Sequence, residues 1–187
     1  AARRRTAEML SLVNLADVAD KRIGGFSGGM KRRLGIAQAE LSSPEVLGFD
    51  EPTAGLDPKE RVRFRNLLAE LSKSRIVLLS THIVSDIASI ADHVLVMREG
   101  ALVFEAPMDE SLRGLEGRVW ELELPERQAA SALSRYQTLS VEPIGPCTRL
   151  RVVSDGRPSA EARLQEPTLE DLFLLFTEGQ RLKEGSI

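Results

Sequence analysis

The sequence predicts an α/β fold for residues 1–106 and a small α+β appendage for residues 107–187. Two observations predict the first part. The short apolar runs Val46–Phe49 and Ile76–Leu79 are typical of buried strands, and helical patterns lie between them. A third observation, the alternation of apolar with charged residues beyond Pro107, predicts strands with one face in water. We therefore expect a largely parallel sheet in the first part and a separate accessory domain after it.

Composition excludes several classes of protein. The chain has 187 residues, of which 42% are hydrophobic and 28% charged, as in soluble globular proteins. No run approaches the roughly 20 apolar residues that span a bilayer. A net charge of -3 gives no general attraction to nucleic acid, and Cys147, the single cysteine, excludes an internal disulfide.

Caps and apolar stripes predict the helices of the first part. One helix is expected over residues 6–18, and Ser27 caps a second that Pro44 terminates. Asp57, which a proline follows, caps a third helix. A fourth is expected near residues 83–91.

A hairpin is predicted near the end of the first part, before Pro107. Apolar residues at 94–97 and 101–105 flank an Arg-Glu-Gly turn, which predicts a hairpin. Strands with one wet face are expected at Trp120–Leu124 and Leu150–Val152, with a helix over residues 126–135 between them.

A final helix is predicted to begin at Thr168. Asp171 follows three residues later, as in a capping box. Because so short a helix is unstable alone in water, its apolar stripe must be covered. We expect the strands at Trp120–Leu124 and Leu150–Val152 to cover it. The stripe consists of Leu169, Leu172, Phe173 and Phe176.

A capping serine followed by two glycines marks the start of the second helix. At Ser27, Gly28 and Gly29 a ligand can approach the backbone, where free N–H groups and the helix dipole favour an anion. An ordinary glycine-rich helix entry is the alternative for this motif taken alone.

Two carboxylates and a histidine follow the predicted strands. Asp50 and Glu51 come directly after one strand, and His82 follows the next. Ligands bind at the carboxyl ends of strands in open α/β sheets. An acid there can hold hydrated Mg²⁺, and its neighbour can orient or deprotonate water. Solvated acids at a loop start are the alternative for the Asp-Glu pair alone.

Three segments occur in a fixed order and together carry four motifs, two of them in the second segment: FSGGM at residues 26–30, VLGFDEPTAGLDP at 46–58 and LLSTH at 78–82. They resemble the signature loop, the Walker B strand joined to the catalytic acid and D-loop, and the switch histidine of the ATP-binding cassette (ABC) ATPase family. The resemblance covers residues 1 to about 106 and implies the distal half of an ABC-type P-loop NTPase domain. The run EPTLEDLFL at 166–174 resembles the C-terminal extension of exporter ATPase subunits.

The resemblance implies a role for each residue of the strand-end group. Asp50 would bind Mg²⁺, usually through water, and Glu51 would polarise the water that attacks the γ-phosphate of ATP. His82 would contact that phosphate. As a full-length protein, the chain would then be an ATPase with ATP and Mg²⁺ as its cofactors.

The resemblance also implies partners. Ser27, Gly28 and Gly29 would close over ATP held by a second nucleotide-binding domain, and Asp57 would link the two sites across that dimer. Hydrolysis would drive conformational change in transmembrane permease subunits. The protein would then be cytoplasmic and peripheral on the inner face of the membrane, with no nucleic-acid partner.

One expected motif is absent. A Walker A loop reads G-x-x-x-x-G-K-[ST], and the sequence contains no Gly-Lys dipeptide. We therefore expect an N-terminally truncated chain that is inactive by itself. The leading interpretation is the energy-coupling subunit of an ABC exporter of drug or antibiotic type. The alternatives are a soluble ABC-type ATPase acting on nucleic acid or ribosomes, and an inactive module that contributes only its signature loop.

Overall fold

The computed structural model describes residues 2–177 and divides into two compact units, Ala1–Ile90 and Ala91–Ile187. Each unit has its own hydrophobic core. A division by contacts does not locate a domain boundary in sequence, so the boundary expected between residues 106 and 107 stays a prediction. No helix among the described residues is long and apolar enough to cross a bilayer.

The first unit alternates helices and two short strands. Its elements are α1 (Ala2–Leu12), α2 (Gly28–Glu40), β1 (Val46–Asp50), α3 (Pro58–Ser72), β2 (Ile76–Ser80) and α4 (Val84–Ile87). The helix predicted over residues 6–18 spans Ala2–Leu12 instead. It ends earlier than predicted because Asn14 takes a left-handed φ of 54° that an α-helix does not permit. The helix predicted near 83–91 is a single turn.

The predicted caps of α2 and α3 are confirmed. The Ser27 hydroxyl accepts the backbone N–H of Met30 at 3.2 Å, and the Asp57 carboxylate accepts that of Glu60 at 2.9 Å. Each cap satisfies an N–H group that has no partner within its helix. These two helix starts are therefore defined by local sequence.

The two strands of the first unit pair in parallel, with Asp50 opposite Ser80. One face of the pair packs on helices, where the ring of Phe49 meets Phe64 edge-on with centroids 6.3 Å apart. The other face is open: Ile76 is 61% and Leu78 56% exposed. The strands expected to be buried are therefore buried on one face only, because the helices of this unit cover that face alone among the described residues.

Among the described residues, the second unit contains a hairpin, a four-stranded sheet and two α-helices. The elements are β3 (His93–Arg98), β4 (Ala101–Pro107), β5 (Val119–Pro125), α5 (Glu126–Arg135), β6 (Gln137–Ile144), β7 (Cys147–Val153), β8 (Arg163–Leu164) and α6 (Leu169–Thr177). The antiparallel hairpin is confirmed, and the second sheet has the order β6-β7-β5-β8 with antiparallel pairs. Strands β6 and β8 were not predicted, since β6 lacks regular alternation and β8 has two residues.

Helix α5, not α6, covers the apolar face of β5 and β7. Ala129 and Ala132 of α5 are buried in one cluster with Leu122, Leu150 and Val152. The expectation that the final helix covers these strands is therefore wrong. The reason is competition for one face: α5 follows β5 directly and folds back over it, so the face is already occupied.

Helix α6 lies against β3 and β6 instead. The ring of Phe176 packs on Phe104 of the hairpin, with centroids 5.0 Å apart. Leu169 and Leu172 are buried, whereas Phe173 is partly exposed. Within the second unit, α6 therefore contacts both the hairpin and strand β6.

A buried ion pair fixes the start of α6. Arg151 donates from Nε and Nη2 to the two carboxylate oxygens of Asp171 at 2.6 and 2.8 Å, and Thr168 donates from its backbone N–H at 2.7 Å. Burial raises the pKa of Asp171, but the hydrogen bonds from Arg151 and Thr168 outweigh it, so this pKa lies below the usual 3.8. The carboxylate is 3% exposed and charged at neutral pH.

We expect Asp171→Ala to lower the free energy of unfolding of the second unit by about 3 kcal/mol, because Arg151 then keeps a poorly solvated charge without its partner. The loss is full above pH 3.8 and disappears as the pH falls through the lowered pKa, since the folded state then no longer gains from the charged form. Urea unfolding followed by the fluorescence of Trp120, the single tryptophan, measures it.

Asp155→Ala is the matched control. Asp155 pairs with Arg118 at 2.7 Å but is 87% exposed, so its loss should cost below about 1 kcal/mol. Equal effects of the two variants would contradict the structural role assigned to Asp171.

Candidate active site

The parallel register brings the ends of β1 and β2 together. Asp50 is the last residue of β1, and its Oδ1 accepts a hydrogen bond from the hydroxyl of Ser80 at the end of β2. The ladder continues one residue further, where the backbone N–H of Glu51 donates to the Ser80 carbonyl at 2.9 Å. The residues after both strands therefore share one edge.

Glu51 has a left-handed backbone, with a φ of 43°. A non-glycine residue pays for this conformation, and such residues cluster at functional sites. Its Oε1 accepts the backbone N–H of His82 at 3.0 Å and lies 2.7 Å from His82 Nδ1. Its Oε2 lies 3.4 Å from the Thr81 hydroxyl. The turn thus places the Glu51 carboxylate against Thr81 and His82, the two residues that follow β2.

The contact with His82 lowers the pKa of Glu51. The hydrogen bond from the His82 side chain is the main cause that holds the pKa of Glu51 below the usual 4.5; desolvation opposes it, and the His82 backbone N–H adds to it. Since a carboxylate can only accept, the ring proton of His82 lies on Nδ1 in this bond. The ring is 70% exposed, so Nε2 faces solvent or a ligand.

The chemistry of Asp50 fits a role in Mg²⁺ binding. Its carboxylate is exposed at the strand end and supplies the hard oxygen donor that Mg²⁺ prefers. Mg²⁺ takes one or two carboxylates and completes its shell with water and phosphate oxygens. No group of three or more His, Cys, Asp or Glu side chains that could hold a metal ion is found among residues 2–177.

The two signature glycines have different surroundings. Gly28 is exposed and has open space where a Cβ would lie. Gly29 is buried, and a Cβ there would meet Glu60 of α3. Ser27 and Asp57 each cap the helix that follows. These residues form a second group, at the starts of α2 and α3.

The structure brings Asp50, Glu51 and His82 together, as predicted from the strand ends. It adds partners that sequence reasoning missed: the hydroxyls of Ser80 and Thr81. The register of a parallel pair could have indicated Ser80, because it falls opposite Asp50.

A connection from α2 to the loop after Glu51 was also missed. Arg32 of α2 donates from Nη1 to the Pro52 carbonyl at 2.6 Å. A basic residue in an exposed helical turn carries no sequence signal for such a bond. The two groups of candidate residues are therefore linked through the backbone that follows the catalytic candidate Glu51.

Comparison with known proteins tests the resemblance. Residues 1–54 match the ABC transporter family. The bacitracin transport ATP-binding protein BcrA of Bacillus licheniformis is 41% identical over 128 residues, which are 67% of this chain and 42% of that protein. The chain belongs to the ABC transporter ATP-binding family.

Another family member extends the match through the second unit. Nod factor export ATP-binding protein I of Burkholderia orbicola (strain AU 1054) is 34% identical over 193 residues, which are 95% of this chain and 62% of that protein. This chain therefore spans about half the length of the family members that it matches.

Solved structures support the same fold. A nucleotide-free ATP-binding cassette from an ABC transporter aligns with a TM-score of 0.56 and 25% identity. The alignment covers 59% of this chain and 44% of the cassette. The α/β fold predicted as the distal part of an ABC-type P-loop NTPase domain is confirmed.

We expect His82→Ala to raise the pKa of Glu51 toward 4.5, because the main cause of its depression is removed. The backbone N–H of residue 82 remains, so the rise should be incomplete. A ¹³C NMR titration of the Glu51 carboxyl in the 187-residue chain measures this pKa. His93→Ala is the control, since His93 pairs with Glu105 in the second unit. A Glu51 pKa that stays unchanged in His82→Ala would exclude the contact.

Proposed function

We propose that this chain is the distal part of an ATP-hydrolysing subunit that energises an ABC exporter. One observation carries the proposal: Asp50, Glu51 and His82 meet at the carboxyl ends of two parallel strands, where Glu51 is bonded to His82. Ligands of open α/β sheets bind at this edge. An acid, a second acid and a histidine there match the needs of phosphoryl transfer to water.

Glu51 would act on the attacking water. Its pKa lies below the usual 4.5, so at neutral pH it is a carboxylate that can accept a hydrogen bond from water and thereby orient and polarise it. Its turn, strained by a φ of 43°, pre-sets the direction of the carboxylate before substrate arrives. Catalysis of this kind depends on positioning more than on a strong base.

His82 would address the γ-phosphate through Nε2. While Nδ1 donates to Glu51, Nε2 can donate to a phosphate oxygen only if the ring is protonated. Asp50 would hold Mg²⁺, which when bound neutralises charge on the phosphates.

The second group would act on the facing domain. Gly28, exposed at the start of α2, leaves the backbone N–H groups and the helix dipole open to the γ-phosphate of ATP bound by a second nucleotide-binding domain. Asp57 would contact the partner across the same interface. Two ATP molecules would thus join the domains, and hydrolysis would release them.

The remaining partners follow from the relatives. The names of the family members matched above state bacitracin transport and Nod factor export, and the second of them aligns over 95% of this chain. We infer transmembrane permease subunits as partners, an exported cargo, and a peripheral position on the inner face of the membrane through those subunits.

The first test is Glu51→Gln in a form of this protein that carries an upstream phosphate-binding loop. Glutamine keeps the size and the hydrogen bonds but not the charge, so ATP hydrolysis should fall by at least ~10²-fold. ATP binding and the ATP-joined dimer should persist, as measured by equilibrium binding and light scattering. Glu45→Gln, just before the other end of β1, should leave the rate unchanged. Hydrolysis at the unaltered rate in Glu51→Gln would exclude this catalytic role.

The second test is Gly28→Asp in the same form. A negative side chain would occupy the space expected for a phosphate and repel it. ATP-driven dimerisation should be lost, while the affinity of the monomer for ATP stays within about twofold because the loop serves the facing site. Gly35→Asp, also exposed on α2 with open space, is the control and should still dimerise. A collapse of monomer affinity in Gly28→Asp would mean that the loop acts on its own nucleotide.

A further inference from the structure

The Glu60 side chain lies against the position that a Cβ of residue 29 would take. A Cβ at this position would lie 2.9 Å from Oε2 and 3.3 Å from Cγ of Glu60, so that the Glu60 carboxylate would have to shift. Gly28 and Gly35 on the same helix have nothing within 4 Å of a Cβ. The contact is therefore particular to Gly29, where the start of α2 touches the first turn of α3.

Two arginines form ion pairs with the Glu60 carboxylate, and one of them, Arg63, also donates a hydrogen bond. Arg63 donates to Oε1 at 2.8 Å, and Arg33 Nε lies 3.3 Å from Oε2 as a half-buried ion pair in which the side chains are 11% and 17% exposed. Arg33 also donates to the Val13 carbonyl at 3.1 Å. Glu60 cannot rotate away from Gly29 without leaving these partners.

The same residue is tied to the cap of its own helix. The backbone N–H of Glu60 donates to Asp57 Oδ1 at 2.9 Å. Its side chain does not return to Asp57 as in a common capping box, but crosses to α2. Glu60 thus contacts both helix starts that carry the second group of candidate residues.

We propose that Glu60 is a positioning residue that joins the signature loop, Ser27–Gly29, to Asp57 as one rigid body. Both elements then approach the facing domain together, with no loss of order on closure. This consequence for hydrolysis rests on the proposed function, whereas the coupling of Glu60 to Gly29 does not.

The coupling is tested by thermal unfolding of the 187-residue chain. Gly29→Ala should lower Tm, because the new methyl group displaces the Glu60 carboxylate from its arginines. In a Glu60→Ala background the same change should raise Tm, since alanine favours a helix more than glycine does. Gly35→Ala is the control and should raise Tm in both backgrounds. An equal fall of Tm on Gly29→Ala with and without Glu60 would overturn the coupling.

The positioning role is tested by kinetics in the form that carries the phosphate-binding loop. Glu60→Ala should lower kcat by up to about 10²-fold while monomer ATP affinity is unchanged. Glu60→Gln, which keeps the shape and one hydrogen bond to an arginine, should restore part of kcat. Glu70→Ala, at an exposed ion pair later in α3, is the control.

An unchanged kcat in Glu60→Ala would overturn the positioning role even if the thermal coupling is found. No hydrolysis in the unaltered protein would overturn the proposed function, and with it the consequence for hydrolysis. The thermal experiment would then still decide whether Glu60 couples to Gly29, so the two failures are distinguishable.

Discussion

The candidate site depends on the parallel register of β1 and β2. Asp50 lies opposite Ser80, and one further backbone bond from Glu51 carries the alignment past the strands. A shift by one residue would turn each side chain to the other face and separate Glu51 from His82. The register is set by the strand faces, because the apolar side chains that pack on α3 must point the same way. Core packing and site geometry are thus one constraint.

Charge and strain at Glu51 follow from that alignment. The left-handed turn costs energy, and the hydrogen bonds from the backbone and ring of His82 fix the position of the carboxylate and lower its pKa. The strained turn and the hydrogen bonds that order it therefore lie at the same residue, Glu51. At the starts of α2 and α3, Ser27 and Asp57 likewise combine two roles: each caps its helix and is also a candidate for contact with a facing domain.

The second unit shows how neighbouring elements compete for one apolar face. Helix α5 takes the inner face of β5 and β7 because it follows β5 without a long connection. Helix α6 then finds cover at β3 and β6, and the Arg151–Asp171 pair holds its first turn. The hairpin and the final helix belong to the same compact unit for this reason, although the sequence between them changes in composition near Pro107.

The sequence by itself determined the features that depend on neighbours along the chain. These are the caps at Ser27, Asp57 and Thr168, the hairpin turn, the strand ends at Asp50 and Glu51, and the family motifs. Only tertiary structure decided which helix covers which strand and which face of β1 and β2 stays open. It also decided that the Glu60 side chain occupies the space that a side chain at residue 29 would need. Periodicity predicts that a residue is buried. It does not predict the packing partner, because that depends on the relative positions of elements distant in sequence, which no local pattern encodes.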